Sequence, residues 1–244
     1  MRIASALLAA TFGLASCTAS AGESPSAIVV LFDVSNSTRP EGVRARYRGT
    51  LDMVLEHLRE EGGVLGADVI DDNPLVHGGL PVNETFEPCT IHENSLECRG
   101  ERDELEAGVR GEAAAILETS SRGTDIFGAL ALAEQFFEAY PDAGARTLVL
   151  LSDMVQSANG MHLGTVETWT GAELASHLAR APDVDLSGVR VYVVGAGSTA
   201  LADMTPIQIE GMERFWTRWF EAMGASVVFY GSNLARFPIT GGTA

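Results

Sequence analysis

A chain of 244 residues, 46% of them apolar, is long enough for one α/β domain of ordinary size with a substantial core. Its formal charge of −17, from 16 basic against 33 acidic residues, argues against nucleic acid as a partner, because neutralising phosphates needs clustered cations. All of the basic residues are arginine, a bias that by itself identifies no function.

The chain begins MRIASALLAATFGLASC, with one arginine, an apolar stretch from Ile3 to Ala15, and small residues leading to Cys17. That is the architecture of an export signal. The stretch is too short to span roughly 30 Å of hydrocarbon comfortably as a permanent helix. Leu14-Ala15-Ser16-Cys17 resembles the bacterial lipobox, whose cysteine is lipidated and becomes the first mature residue; a plain signal peptide cut after an alanine is the alternative. The resemblance implies a signal peptide over residues 1–16 and a membrane attachment made only through lipid. Thr18, where an aspartate would signal retention at the inner membrane, implies the outer membrane, facing the periplasm. Residues 17–27, small, polar and containing proline, read as a tether.

Ile28 to Phe32 is a continuous apolar run, expected for a strand buried on both faces of a parallel sheet. Pro40 and Glu41 open a helix through Glu61, with Val43, Tyr47, Leu51, Val54, Leu55 and Leu58 at helical spacing before Gly62-Gly63 stops it. A second strand runs from Val64 to Ile70. A less regular stretch from Asp71 to Arg99 precedes a helix from about Asp103 to Glu118 and another from Ile126 to Ala139. RTLVLLSD (146–153) reads as a strand, Ala172 to Ala179 as a helix, VRVYVVGAG (189–197) as a strand, Ile207 to Met223 as an amphipathic helix, and ASVVFYG (225–231) as the last strand. Strands alternating with helices predict an α/β, doubly wound, mainly parallel sheet covered on both faces, with one domain over 28–232 and a tail over 233–244.

If Cys17 carries lipid, Cys89 and Cys98 remain. Two cysteines in an exported protein form a natural pair, here expected as a disulfide across a short hairpin. Free thiols, or half a metal site with His92, are the alternatives, but the spacing lacks the paired motif of a zinc knuckle.

In a doubly wound sheet, ligands sit beyond the carboxyl ends of the strands. Asp33, Ser35 and Ser37 follow the first strand, Thr124 opens a helix after SRGTD, and Asp153 closes TLVLLSD, so all five fall at one edge. Oxygen donors of low total charge suit magnesium, with manganese or calcium as alternatives. Asp-x-Ser-x-Ser, a distant Thr-Asp and a later strand-terminal Asp together resemble the metal-ion-dependent adhesion site of von Willebrand factor type A domains. The resemblance spans roughly residues 26–232. It implies hydroxyl ligands from Ser35, Ser37 and Thr124, acids from Asp33 and Asp153, and Asp125 behind the ligands. It further implies a binding module whose metal is completed by an Asp or Glu carboxylate of a protein partner. Each residue taken singly also suits a cap or an Asx turn; the joint pattern is what points to a metal.

Other chemistries fit less well. A haloacid-type phosphatase needs a second acid where Ser35 stands, no Gly-x-Ser-x-Gly elbow occurs, and GAGSTA (195–200) is a lone glycine cluster read as a turn. A metal-dependent hydrolase using the same oxygen cluster, or a scaffold with a vestigial site, are the competing readings. Phe215, Trp216, Trp219 and Phe220 fall mostly on one helical face and are expected in the core. The polar segment 154–171 follows Asp153 directly, and its Met161, His162 and Trp169 are candidates for touching a partner.

Overall fold

A computed structural model describes residues 25–89, 95–158, 160–163, 170–197 and 205–238. Among them, β1 (Ser26–Asp33) pairs in parallel with β2 (Gly63–Ile70) on one side and β4 (Arg146–Leu151) on the other. Beyond β4 come β5 (Val189–Val194) and β6 (Ser226–Gly231), also parallel. At the opposite edge β3 (Val82–Phe86) runs antiparallel to β2, giving the order β3-β2-β1-β4-β5-β6.

Helices cover both faces, as the continuous apolar run of β1 requires. Ile28, Val30 and Phe32 face a layer built by α1 (Glu41–Glu61) and α2 (Ser95–Glu118). Ala27, Val29 and Leu31 face the layer of α3 (Ile126–Ala139), α4 (Gly171–Leu178) and α5 (Pro206–Ala222). Each fully buried large aliphatic or aromatic side chain contributes about 1.5–3 kcal/mol of transfer free energy, so the two layers together hold the sheet. Phe215, Trp216, Trp219 and Phe220 are all buried there, with Trp216 and Trp219 packed 5.0 and 5.1 Å from Phe127. The helix starts follow local chemistry: Thr170 and Thr205 each cap their helix in a reciprocal box with Glu173 and Gln208.

The stretch from Asp71 to Arg99 holds more regular structure than its pattern suggests. It contains a 3-10 turn at Pro74–His77, the strand β3, and the first turns of α2, which begins at Ser95 rather than near Asp103. β3 buries only Val82 and Phe86, and the early turns of α2 are polar, with Leu96 exposed, so neither leaves a clear periodic signal. The Cys89–Cys98 disulfide is present, with the Cα atoms 6.0 Å apart. It ties the segment after β3 to the first turn of α2, and so is not the bridge across a hairpin that the short spacing suggested. Arg59 of α1 bonds Asp103 and the buried Glu106 at 2.7 and 2.6 Å, and Arg110 bonds Asp52 at 2.8 Å, clamping α2 on α1. After β6, Leu234 is buried and Phe237 packs 5.6 Å from His57, so the stretch expected as a tail from 233 returns to α1. No described helix is long and apolar enough to cross a membrane.

Candidate metal centre

β1 and β4 lie side by side, yet the chain leaves β1 toward β2 and leaves β4 toward β5. The crevice beyond their carboxyl ends is therefore the topological switch point of the sheet. The register that pairs Phe32 with Leu151 brings Asp33 level with Ser152. Ser152 Oγ donates to Asp33 Oδ2 at 2.7 Å, and the Ser35 N–H donates to Asp33 Oδ1 at 2.8 Å in an Asx turn. The following residues form a 3-10 turn, Asn36–Thr38. Thr38 Oγ1 sits 2.7 Å from Asp33 O and 2.9 Å from Ser35 O, which closes that turn from below. The Ser35 and Ser37 hydroxyls consequently stand 2.9 Å apart.

Asp153 follows β4 and is fully buried. Its Oδ1 accepts the Val155 N–H at 3.0 Å, while its Oδ2 has no hydrogen-bond partner among the described residues. The next residue, Met154, takes the left-handed conformation at φ 67°, which costs a side chain with a Cβ on the order of 1–3 kcal/mol. Its N–H donates to Ser152 Oγ and its carbonyl accepts Trp216 Nε1, both at 2.9 Å, so core and site together hold the strained turn.

The electrostatics follow from burial. Loss of water, and next the charge of Asp153, push Asp33 from 3.8 up to about 7, against the bonds from Ser152 and Ser35. Burial likewise raises Asp153, against the Ser37 hydroxyl and the Val155 amide. The Tyr47 hydroxyl of α1, buried and without a partner among the described residues, is pushed well up by burial and by the same two acids. Among the described residues no group of three or more His, Cys, Asp or Glu could hold a metal. The set here is of another kind, two carboxylates supplemented by hydroxyls, and it offers only the hard oxygen donors that magnesium takes.

Thr124 is also buried, at the start of α3. Its turn is latched on two sides. Ser121 bridges to Ser35, with its N–H on Val34 O at 3.2 Å. Thr124 and Ser157 exchange a backbone and a side-chain bond, each 3.0 Å. Asp125 lies behind, accepting from Gln156 Nε2 at 3.2 Å, while Gln156 Oε1 accepts the Ile126 N–H at 2.7 Å. The structure thus joins Asp33, Ser35, Ser37 and Asp153 into one cluster and fastens the Thr124 turn beside it. Ser152, Thr38 and Gln156 escaped the motif. Thr38 lies directly after Ser37 and Ser152 directly before Asp153, whereas nothing local distinguishes Gln156. Met161 is partly buried and lines a cavity of about 240 Å³ with Leu75, Phe127 and Gln156, whereas His162 is exposed. Trp169 and Cys17 lie outside the described residues.

No family model matches the sequence, and no curated protein is similar to it. Solved structures of similar shape include the pilus adhesin SpaC of Lactobacillus rhamnosus GG, in an open conformation, at TM-score 0.47 and 14% identity over 80% of this chain and 26% of that one. Another is a von Willebrand factor type A protein of Catenulispora acidiphila, at TM-score 0.41 and 14% identity over 82% and 43%. A third is proximal thread matrix protein 1 of the mussel byssus, at TM-score 0.39 and 13% identity over 82% and 48%. The chain spans between about a quarter and a half of the length of these structures.

Proposed function

We propose that this chain is an exported binding module of the von Willebrand factor type A kind, in which Asp33, Ser35, Ser37, Thr124 and Asp153 hold a magnesium ion that an acidic group of a protein partner completes. The observation that carries the reading is Asp153 Oδ2, a buried carboxylate oxygen without a hydrogen-bond partner among the described residues, on an acid close enough to Asp33 for its charge to raise that neighbour. An uncompensated buried acid costs several kcal/mol, and a bound cation is the ordinary compensation. Three of the donors are neutral hydroxyls. A divalent ion held by two acids and hydroxyls keeps positive character, which an incoming carboxylate would neutralise. Binding of such a group is the activity proposed.

Export and lipid attachment at Cys17 belong to the same proposal. A disulfide suits an oxidising compartment. The tether would join β1 at Ser26, and the strand's 8 residues put Asp33 roughly 25 Å away, so an anchored molecule would turn its metal edge away from the lipid.

Calorimetry with magnesium tests the site. The wild type should take up one ion per chain, and Asp153→Asn and Thr124→Ala should each weaken uptake at least tenfold with unchanged far-UV circular dichroism. A pull-down from envelope extract, with and without chelator, then tests the partner. Uptake unaffected by both substitutions would remove the site from the function.

A further inference from the structure

Away from the metal edge, His77 is held between two acids. Its Nδ1 lies 3.0 Å from Asp68 Oδ2 and its Nε2 3.1 Å from Asp71 Oδ2. Asp68 is buried within β2, and Asp71 follows the end of that strand. A neutral imidazole has a single N–H, so it can donate to only one of these carboxylates and turns a lone pair toward the other. Both contacts are favourable only while the cluster carries one further proton. Asp71 in turn reaches the metal edge, because its carbonyl accepts the Asp125 N–H at 2.6 Å and its Oδ1 accepts the Asn73 N–H at 2.9 Å. Asp125 adjoins Thr124 and starts α3.

We propose that Asp68, His77 and Asp71 form a proton-dependent clamp that positions the Thr124–Asp125 turn. The charged groups acting on the ring are Asp68 from β2 and Asp71 from the turn after it. Among the described residues the other walls are apolar where α2 contributes Ile116 and the 78–81 segment contributes Leu80 and Pro81, while α3 meets the 3-10 turn through Gly128 against Pro74, with the Asp125 carboxylate close by. Burial pulls the pKa of His77 down, but the bond to Asp68 and the charges of Asp68 and Asp71 outweigh it and leave the ring above 6.5. The sign follows: both contacts are present below 6.5, and one is lost as pH rises through the higher value of the folded chain. The loss falls on Asp71, since Asp68 is the buried acid and keeps the nearer nitrogen. The clamp stands on contacts within the chain; its bearing on magnesium affinity rests on the metal reading.

Amide hydrogen exchange at Asp125, in chelator, reads the clamp without metal. Its protection factor should fall roughly tenfold between pH 5.5 and 8.5 in the wild type, in step with the NMR titration of the His77 ring. His77→Gln should abolish that dependence, and Asp68→Asn should move the transition to lower pH. A protection factor that stays flat in the wild type, or falls equally in His77→Gln, overturns the clamp. Magnesium calorimetry over the same pH range is read separately. Absence of uptake at every pH sinks the metal reading, whereas the amide data decide the clamp.

Discussion

Replacing Asp33 by asparagine should stabilise the metal-free protein at neutral pH. Asp33 is buried beside Asp153 and pushed from 3.8 to about 7, so the folded chain holds a proton there that the unfolded chain has given up. Folding stability on this account is greatest below 3.8, declines as pH rises from 3.8 toward about 7, and levels off above that. The interval is close to three units, which caps the penalty at roughly 4 kcal/mol at 1.36 kcal/mol per unit. Asparagine removes the charge while its carbonyl still accepts the Ser35 N–H, and its amide can donate to Ser152 Oγ in place of the bond that Ser152 now gives. In chelator at pH 7.5 the variant should therefore melt roughly 5–10 °C above the wild type, with the difference shrinking toward zero near pH 4. Saturating magnesium should reverse the order, because only the wild type retains both acids to hold the ion. Thermal melts by circular dichroism at several pH values, with chelator and with magnesium, make the comparison. A variant less stable than the wild type in chelator, or a gap that does not change with pH, would refute the electrostatic reasoning.

Cys17→Ser should abolish lipidation and release the protein, so that it partitions into the aqueous phase of a detergent extraction where the wild type follows the detergent. Cys98→Ala should lower unfolding free energy by on the order of 2–3 kcal/mol in urea titration without loss of the fold, since the bridge closes a short loop; thiol labelling of the unreduced, denatured wild type should find no reactive cysteine at 89 or 98. Gly195→Ala should cost about 2–4 kcal/mol, because φ is 117° and a Cβ would meet Ser152 O at 2.8 Å and the Tyr47 hydroxyl at 2.9 Å. The same variant should weaken magnesium uptake, since it presses on Ser152, the residue that orients Asp33.

The alternation of apolar strands with amphipathic helices is a local property, and most of the layout was legible from it. α3 matches its expected span to the residue, because Asp125 precedes a strongly apolar helix that begins and ends in clear breaks. The Asp-x-Ser-x-Ser turn was equally legible, since an Asx turn and its hydroxyls arise within six consecutive residues, Asp33 to Thr38. What failed to show was the edge: β3, with polar side chains between two buried ones, and the polar start of α2 depend on packing partners that no window of sequence contains.

By itself the sequence determined the order of the central strands and helices and the starts of α1 and α3, because burial on two faces writes a continuous apolar run and helix breaks write their own short code. Only the tertiary structure decided that β1 and β4 are neighbours, and that a register pairing Phe32 with Leu151 sets Asp33 against Ser152 across 119 positions of chain. It alone decided that Gln156 would tie Asp125, that His77 would stand between Asp68 and Asp71, and that Asp153 would be buried with one oxygen unsatisfied among the described residues. The Asp33–Ser152 and Asp125–Gln156 contacts join residues far apart in the chain, and the His77 contacts join residues that only the turn after β2 brings together. Their energies come from desolvation and from charges brought together, and neither exists until the sheet has closed.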